Sequence, residues 1–274
     1  MSISHVVAVQ MCSTMNPEKN FLQLKQWLTD CNLKKPTLVC LPETWLAFMQ
    51  TAEQSLSLSK QYEYWLTQLG QLCRAFNIWI AAGTMPVYGE QNKYYAASFL
   101  LNERGEVVAR YNKIHLFDAD VADGSGGYRE SKSTIAGTDV VVVDSPFGKI
   151  GLSVCYDLRF AGLFQAMSEL GAELFLVPSA FTTVTGQAHW APLLQARAIE
   201  NQCYIVAAAQ CGEHENGRKT HGHSLILSPW GDVMADAQQT LGCISAQIDL
   251  AQLHQLRKDM PVQVHNRFKS EFYE

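Results

Sequence analysis

Leu38-Val39-Cys40-Leu41-Pro42-Glu43 is an apolar run that stops on a proline and a carboxylate. It reads as a strand buried on both faces, ending where an α/β fold places its sites. Upstream, after Asn16-Pro17-Glu18, the apolar residues Phe21, Leu24, Trp27 and Leu28 recur three to four apart, as on one face of a helix. Before them, Val6-Val7-Ala8-Val9-Gln10 reads as another strand. The chain therefore opens as β-α-β.

Working outward, Tyr62, Trp65, Leu66, Leu69 and Leu72 keep helical spacing, and strands are expected over residues 78–83, 97–101 and 107–111. The last two form a hairpin across the turn Asn102-Glu103-Arg104-Gly105-Glu106. The second half repeats the style. A hairpin joins 140–143 to 149–154 through Ser145-Pro146-Phe147-Gly148, and Leu163, Phe164, Met167 and Leu170 mark a helix ending near Gly171. A strand over 173–178, a helix over 190–201, and strands over 204–209, 224–227 and 242–248 complete the pattern, and the class is α/β. Two such halves suit two sheets face to face with helices outside, a four-layer α-β-β-α sandwich, but periodicity alone does not separate this from one doubly wound sheet.

The 274 residues, 47% of them hydrophobic, show no linker or composition shift, so one domain over 1–274 is expected. Net charge is −5 with both signs interspersed, which leaves no basic patch and argues against nucleic acid as a partner. Val6 to Val9 is too short an apolar run for a signal or a membrane span, and a cytoplasmic protein with no membrane partner is expected. The eight cysteines form no CxxC pair, which speaks against a disulfide framework or a zinc site.

Three residues sit at strand ends with chemistry to offer. Cys155 begins the polar turn Cys155-Tyr156-Asp157-Leu158-Arg159-Phe160 between a strand and a helix, where a thiol can project into a cleft and a helix N-terminus would stabilise its thiolate. Glu43, shielded by neighbours such as Trp45, would have a raised pKa suited to a general base. Lys113, within Tyr111-Asn112-Lys113-Ile114-His115-Leu116-Phe117, is placed to stabilise an oxyanion. Each has a plainer reading alone: a core cysteine, an exposed turn carboxylate and a surface cation. A Cys/His arrangement drawing on His115, His189, His221 or His223 is the rival, and spacing does not choose among these histidines.

Together, Leu41-Pro42-Glu43, residues 111–118 and residues 151–160 resemble the Glu, Lys and Cys motifs of the nitrilase superfamily. The resemblance runs on through Pro178-Ser179-Ala180-Phe181, residues 186–190, residues 197–201 and Pro229-Trp230-Gly231, across nearly the whole chain. It implies the α-β-β-α sandwich, with Glu43 as general base, Lys113 as stabiliser of the tetrahedral intermediate, Cys155 as nucleophile and Glu130 as a supporting glutamate. It also implies an oxyanion contact from the Tyr156 backbone N–H and a thioester mechanism with no metal or organic cofactor.

Residues 155–160 are similar to the amidase branch, and Ser179-Ala180-Phe181, residues 203–212 and His221-Gly222-His223-Ser224 are most similar to the amidases of deaminated glutathione; the alternatives are an ω-amidase acting on α-ketoglutaramate or α-ketosuccinamate, and a catalytically silent scaffold. Arg159 is a candidate for a substrate carboxylate, unless it pairs with Asp157, and Thr182, Thr183 and Thr185 either line the pocket or cap the following helix. Ala161-Gly162 departs from the usual Pro-Glu and is expected to alter the start of the helix and the shape of the pocket. A homodimer or larger homo-oligomer is expected, with the tail from about residue 260 (Val262, Val264, Phe268, Phe272, Tyr273) in its interface.

Overall fold

Strands of alternating orientation to two different cores organise the chain, which the computed structural model describes over residues 4–31, 33–123 and 127–271. The first half supplies β1 (Ser4–Gln10), β2 (Thr37–Cys40), β3 (Trp79–Ala81), β4 (Met85–Tyr88), β5 (Tyr94–Leu101) and β6 (Val107–Asn112). A small ribbon of β7 (Asp118–Ala119) and β8 (Tyr128–Arg129) follows. The second half supplies β9 (Val142–Val143), β10 (Ile150–Leu152), β11 (Leu174–Leu176) and β12 (Tyr204–Ala207), then a ribbon of β13 (Cys211–Glu213) and β14 (Lys219–His221), then β15 (Leu225–Leu227) and β16 (Val233–Asp236). Finally β17 (Gly242–Ile248) returns to pair antiparallel with β1.

The resulting sheets have seven strands, in the order β17-β1-β2-β3-β5-β4 with β6 on β5, and six strands, in the order β16-β15-β12-β11-β10-β9. The β1-β2-β3 and β10-β11-β12 runs are parallel. The period of two in β1 shows how the sheets stack. Val6 and Ala8 share a core with Leu152, Leu174 and Leu176 of the other sheet. Val7 and Val9 instead pack with Leu24 and Leu28 of α1 (Pro17–Asp30), with Leu58 of α2 (Ala52–Ser59), and with Trp65, Leu69 and Leu72 of α3 (Tyr62–Phe76). On the far side, α4 (Ala161–Glu169) and α5 (Thr183–Asn201) cover the second sheet, with Phe164, Trp190 and Leu194 in its core. Four layers result, as the motif resemblance implies.

Some elements depart from the reading of the sequence. Helix α2, strand β4, the two ribbons and β16 were not expected, nor were α6 (Leu250–Asp259) and α7 (Val262–His265). Helix α5 begins seven residues before Trp190, at Thr183, because Thr182 caps it by accepting from Thr185 N–H. The apolar period near Gly186 is weak for a different reason: a Cβ there would lie 2.2 Å from the Cβ of His221, so close approach, not propensity, selects the glycine. Past α7 the chain turns back on itself, with Ser270 Oγ donating to Gln165 Oε1 at 2.7 Å, while Val264 and Phe268 remain exposed. Phe272 and Tyr273 lie outside the described residues.

Candidate active site

Glu43 is delivered by a crowded crossing of two strand ends. Leu41 N–H donates to Ala81 O at 2.9 Å, and Gly83, at φ +48°, passes so near that a Cβ would fall 1.9 Å from Pro42 O. Only glycine fits there. The next residue, Thr44, adopts φ 53°, a strained value for a β-branched side chain, and its N–H is received by Thr84 Oγ1 at 2.8 Å. Gln210, just beyond β12, donates to Glu43 O at 2.9 Å and to Ser13 Oγ at 2.8 Å, while Ser13 N–H donates back to Gln210 Oε1 at 3.0 Å. The Glu43 backbone is thus fastened to both sheets.

Lys113 follows β6, where its N–H donates to Ala96 O at 3.0 Å. Its Nζ donates to Glu43 Oε1 at 2.8 Å and to Glu130 Oε2 at 2.9 Å, with the lysine side chain only 2% exposed. The same Glu130 oxygen accepts from Phe117 N–H at 2.7 Å. Burial by itself would strip the lysine of its proton, but the charges of Glu130 and Glu43 prevail and hold it well above the ordinary 10.5. Loss of water raises Glu130 above its ordinary 4.5, and the nearby Glu43 adds to this against the pull of Lys113. One ammonium therefore bridges two carboxyl groups in a place water barely reaches.

Cys155 opens a short 3-10 turn, Cys155–Arg159, that leaves β10. Its φ is 47°, in the left-handed region, and its N–H donates to Pro178 O at 2.9 Å. The turn is pinned by Asp157, fully buried, which accepts from Val154 N–H at 2.8 Å, from His115 N–H at 3.0 Å and from Tyr111 Oη at 2.7 Å, and meets His115 Nδ1 at 2.7 Å. These bonds tie the Cys155 turn to the segment carrying Lys113. The expected stabilisation of a thiolate does not prevail. Burial pushes the Cys155 thiol well above its ordinary 9.0, Glu43 adds to the rise, and Lys113 offsets it only in part. Burial therefore favours the protonated thiol.

Glu43, Lys113 and Cys155 open onto a cavity of about 330 Å³, which Glu130, Tyr156, Arg159, Thr182 and Thr185 also line. Thr183 does not line it: it is the exposed first residue of α5, and Thr182 takes both of the roles considered for this loop. Arg159 does not pair with Asp157, whose oxygens are already occupied. Its guanidinium lies over the rings of Tyr156 at 5.8 Å and Phe181 at 5.3 Å and meets His189 Nδ1 at 3.1 Å. Ala161 and Gly162 are absent from the cavity wall, so the pocket does not take its shape from them; Gly162 lies beneath Ser270, and α4 starts directly at Ala161. None of His115, His189, His221 and His223 lines the cavity, so the geometry offers the thiol no Cys/His pairing. Among the described residues no group of three His, Cys, Asp or Glu side chains could hold a metal, and no helix is long and apolar enough to cross a membrane.

Cys155 in a left-handed turn, the carboxyl group of Glu43 and the buried ammonium of Lys113 thus meet at the ends of strands from two stacked sheets, on one cavity. The sequence matches the carbon-nitrogen hydrolase family over residues 5–258, and the chain belongs to that family, whose reaction is the hydrolysis of carbon–nitrogen bonds. It is 40% identical to the deaminated glutathione amidase of Yersinia enterocolitica over 98% of this chain and 95% of that one, and 41% identical to that of Bos taurus over 96% and 81%. Among solved structures, the C. elegans NitFhit protein superposes with a TM-score of 0.93 at 36% identity, over all of this chain and 68% of that one.

Proposed function

We propose that the protein hydrolyses deaminated glutathione to 2-oxoglutarate and cysteinylglycine, with Cys155 as nucleophile, Glu43 as general base and acid, and Lys113 as the charge that receives the oxyanion. The observation that carries this reading is the Glu43 Oε1 to Lys113 Nζ contact of 2.8 Å beside the buried thiol of Cys155. The names of the relatives supply the substrate.

The steps follow from that geometry. Glu43 takes the Cys155 proton as sulfur attacks the γ-amide carbonyl carbon. The oxyanion forms toward Lys113 Nζ and the Tyr156 backbone N–H, in a site dry enough for these charges to act at strength. The intermediate collapses, the amine of cysteinylglycine leaves with the proton that Glu43 returns, and a thioester remains. Glu43 then takes a proton from water, whose oxygen attacks the thioester; the thiolate is expelled and recovers the proton, and 2-oxoglutarate departs. Glu130 keeps the ammonium aimed while Glu43 changes protonation state. Arg159, with no carboxylate partner among the described residues, receives the carboxylate of the 2-oxo acid.

The test is turnover by purified protein, read as release of 2-oxoglutarate and of cysteinylglycine. Cys155→Ser is expected to abolish it, by about a thousandfold or more, while the melting temperature moves by no more than about 3 °C. Iodoacetamide that enters the cavity should inactivate the wild type by alkylating Cys155, and deaminated glutathione should slow that loss. Wild-type protein that is folded yet inert toward deaminated glutathione, α-ketoglutaramate and simple amides would sink the proposal.

A further inference from the structure

We infer that Arg218 binds the C-terminal carboxylate of the dipeptide leaving group, and so selects a substrate with a charged tail over a simple terminal amide. The inference rests on deaminated glutathione being the substrate, which carries one carboxylate on its 2-oxo acid end and another on its glycine.

The argument begins with the cations of the cavity. Besides Lys113, the wall includes Arg129, Arg159, Arg218 and Lys219. Two of these are already neutralised: Arg129 pairs with Asp120 at 2.8 Å and Lys219 with Glu213 at 3.1 Å. Arg159 and Arg218 have no carboxylate within ion-pair distance among the described residues. Two open guanidinium groups thus face a substrate with two carboxylates.

They also lie at opposite ends of one aromatic wall. Arg159 stands over Tyr156 and Phe181 beside the nucleophile. From Tyr156 the wall continues to Phe117, with ring centroids 4.9 Å apart, and from Phe117 to Tyr128, again at 4.9 Å. The Arg218 guanidinium lies over the Tyr128 ring at 5.0 Å. A cysteinylglycine group extends about 7 Å from the scissile nitrogen along such a wall, and the long, exposed arginine side chain reaches back toward it. An ammonia leaving group extends no distance at all, and Arg218 has nothing to hold when one departs.

The backbone that carries Arg218 is fixed on both banks of the cavity. Thr220 bridges to Thr182, and His221 N–H donates to Phe181 O at 2.9 Å. On the opposite bank, Asn216 Nδ2 donates to Met49 O at 3.0 Å, and Arg218 N–H donates to Asn216 Oδ1 at 3.1 Å. A cation whose main chain is set before the ligand arrives loses less entropy on binding it.

The experiment compares deaminated glutathione with its C-terminal glycinamide, which lacks only the distal charge, in wild type, Arg218→Ala and Arg218→Lys. In wild type the acid is expected to show a KM roughly tenfold below that of the glycinamide, with similar kcat, as for one charge-assisted contact made in ground and transition states alike. Arg218→Ala should bring the two KM values within about twofold of each other, and Arg218→Lys should restore part of the gap, since it returns charge without the fork. Equal KM values for the two compounds in wild type, or an undiminished gap in Arg218→Ala, overturn the assignment of Arg218 while the proposed function stands. Failure of wild type to cleave either compound, with α-ketoglutaramate cleaved, overturns the substrate and this role together.

Discussion

The buried carboxylate of Asp157 binds no part of the substrate in the proposed mechanism, yet it holds the Cys155 turn and the Lys113 segment in one register. Tyr111 contributes its phenol at 2.7 Å, and Ile114 N–H reaches the same oxygen at 3.3 Å. Tyr111→Phe keeps the packing and loses both bonds, and is expected to cost about 1.5–3 kcal/mol, measured as a shift in the denaturant midpoint at pH 7. The pH dependence has a definite sign. Burial first, and then the charge of Asp157, place the phenol well above its ordinary 10.0, so the folded chain keeps this proton more tightly than the unfolded one. The stabilisation is complete below about pH 10 and is lost as pH rises through the folded value. The midpoints of wild type and Tyr111→Phe should draw together in alkaline buffer; a gap that widened there would contradict the assignment.

Between elements, the geometry of the proposed catalytic site depends on how closely two strand ends can pass. Gly83→Ala asks for a left-handed alanine and puts a methyl against Pro42 O, where 1.9 Å is available. A loss of at least about 2 kcal/mol is expected, together with a fall in kcat beyond the fall in folded fraction, because the peptide that moves is the one preceding Glu43. Thermal melts paired with kcat on the folded protein separate the two effects.

What the sequence discloses at this scale depends on how local each cause is. Glu43, Lys113 and Cys155 each follow an apolar run, so their placement at strand ends can be read from neighbours alone, and three motifs in one order add their roles. Helix α2 buries only Leu58 and Ser59 and so carries no apolar stripe; its one local signal is the capping box of Thr51 and Gln54, and spacing of hydrophobic residues passes over it. Gln210 reads as the tail of a strand, because its work is done on Ser13, 197 positions away. Arg218 sits in a short polar ribbon with no alternation to announce it, and only the assembled cavity shows what it faces.

Across the molecule, the groups proposed to react come from different layers. Glu43 and Lys113 hang from the seven-stranded sheet and Cys155 from the six-stranded one, so the distance from the Glu43 carboxyl to the thiol is the distance between two sheets, held by residues such as Val6, Ala8, Leu152 and Leu176. Gln210 and Ser13, both buried, repeat that link with hydrogen bonds. The charges are sorted by depth as well: the Lys113 ammonium is almost wholly enclosed, whereas Arg218 stands at the open mouth.

That sorting divides the enzyme's response to ionic strength. Dissolved ions screen a guanidinium at the rim within about 10 Å at roughly 0.1 M salt, but they cannot enter the space around a lysine wedged between two carboxyl groups. Raising sodium chloride from about 0.05 to about 0.5 M should therefore raise KM for a doubly anionic substrate severalfold and leave kcat nearly level, as initial rates over a salt series would show. In the proposed mechanism the outer charges gather the substrate and answer to the medium, while the inner ones take part in the bond cleavage and are shielded from it.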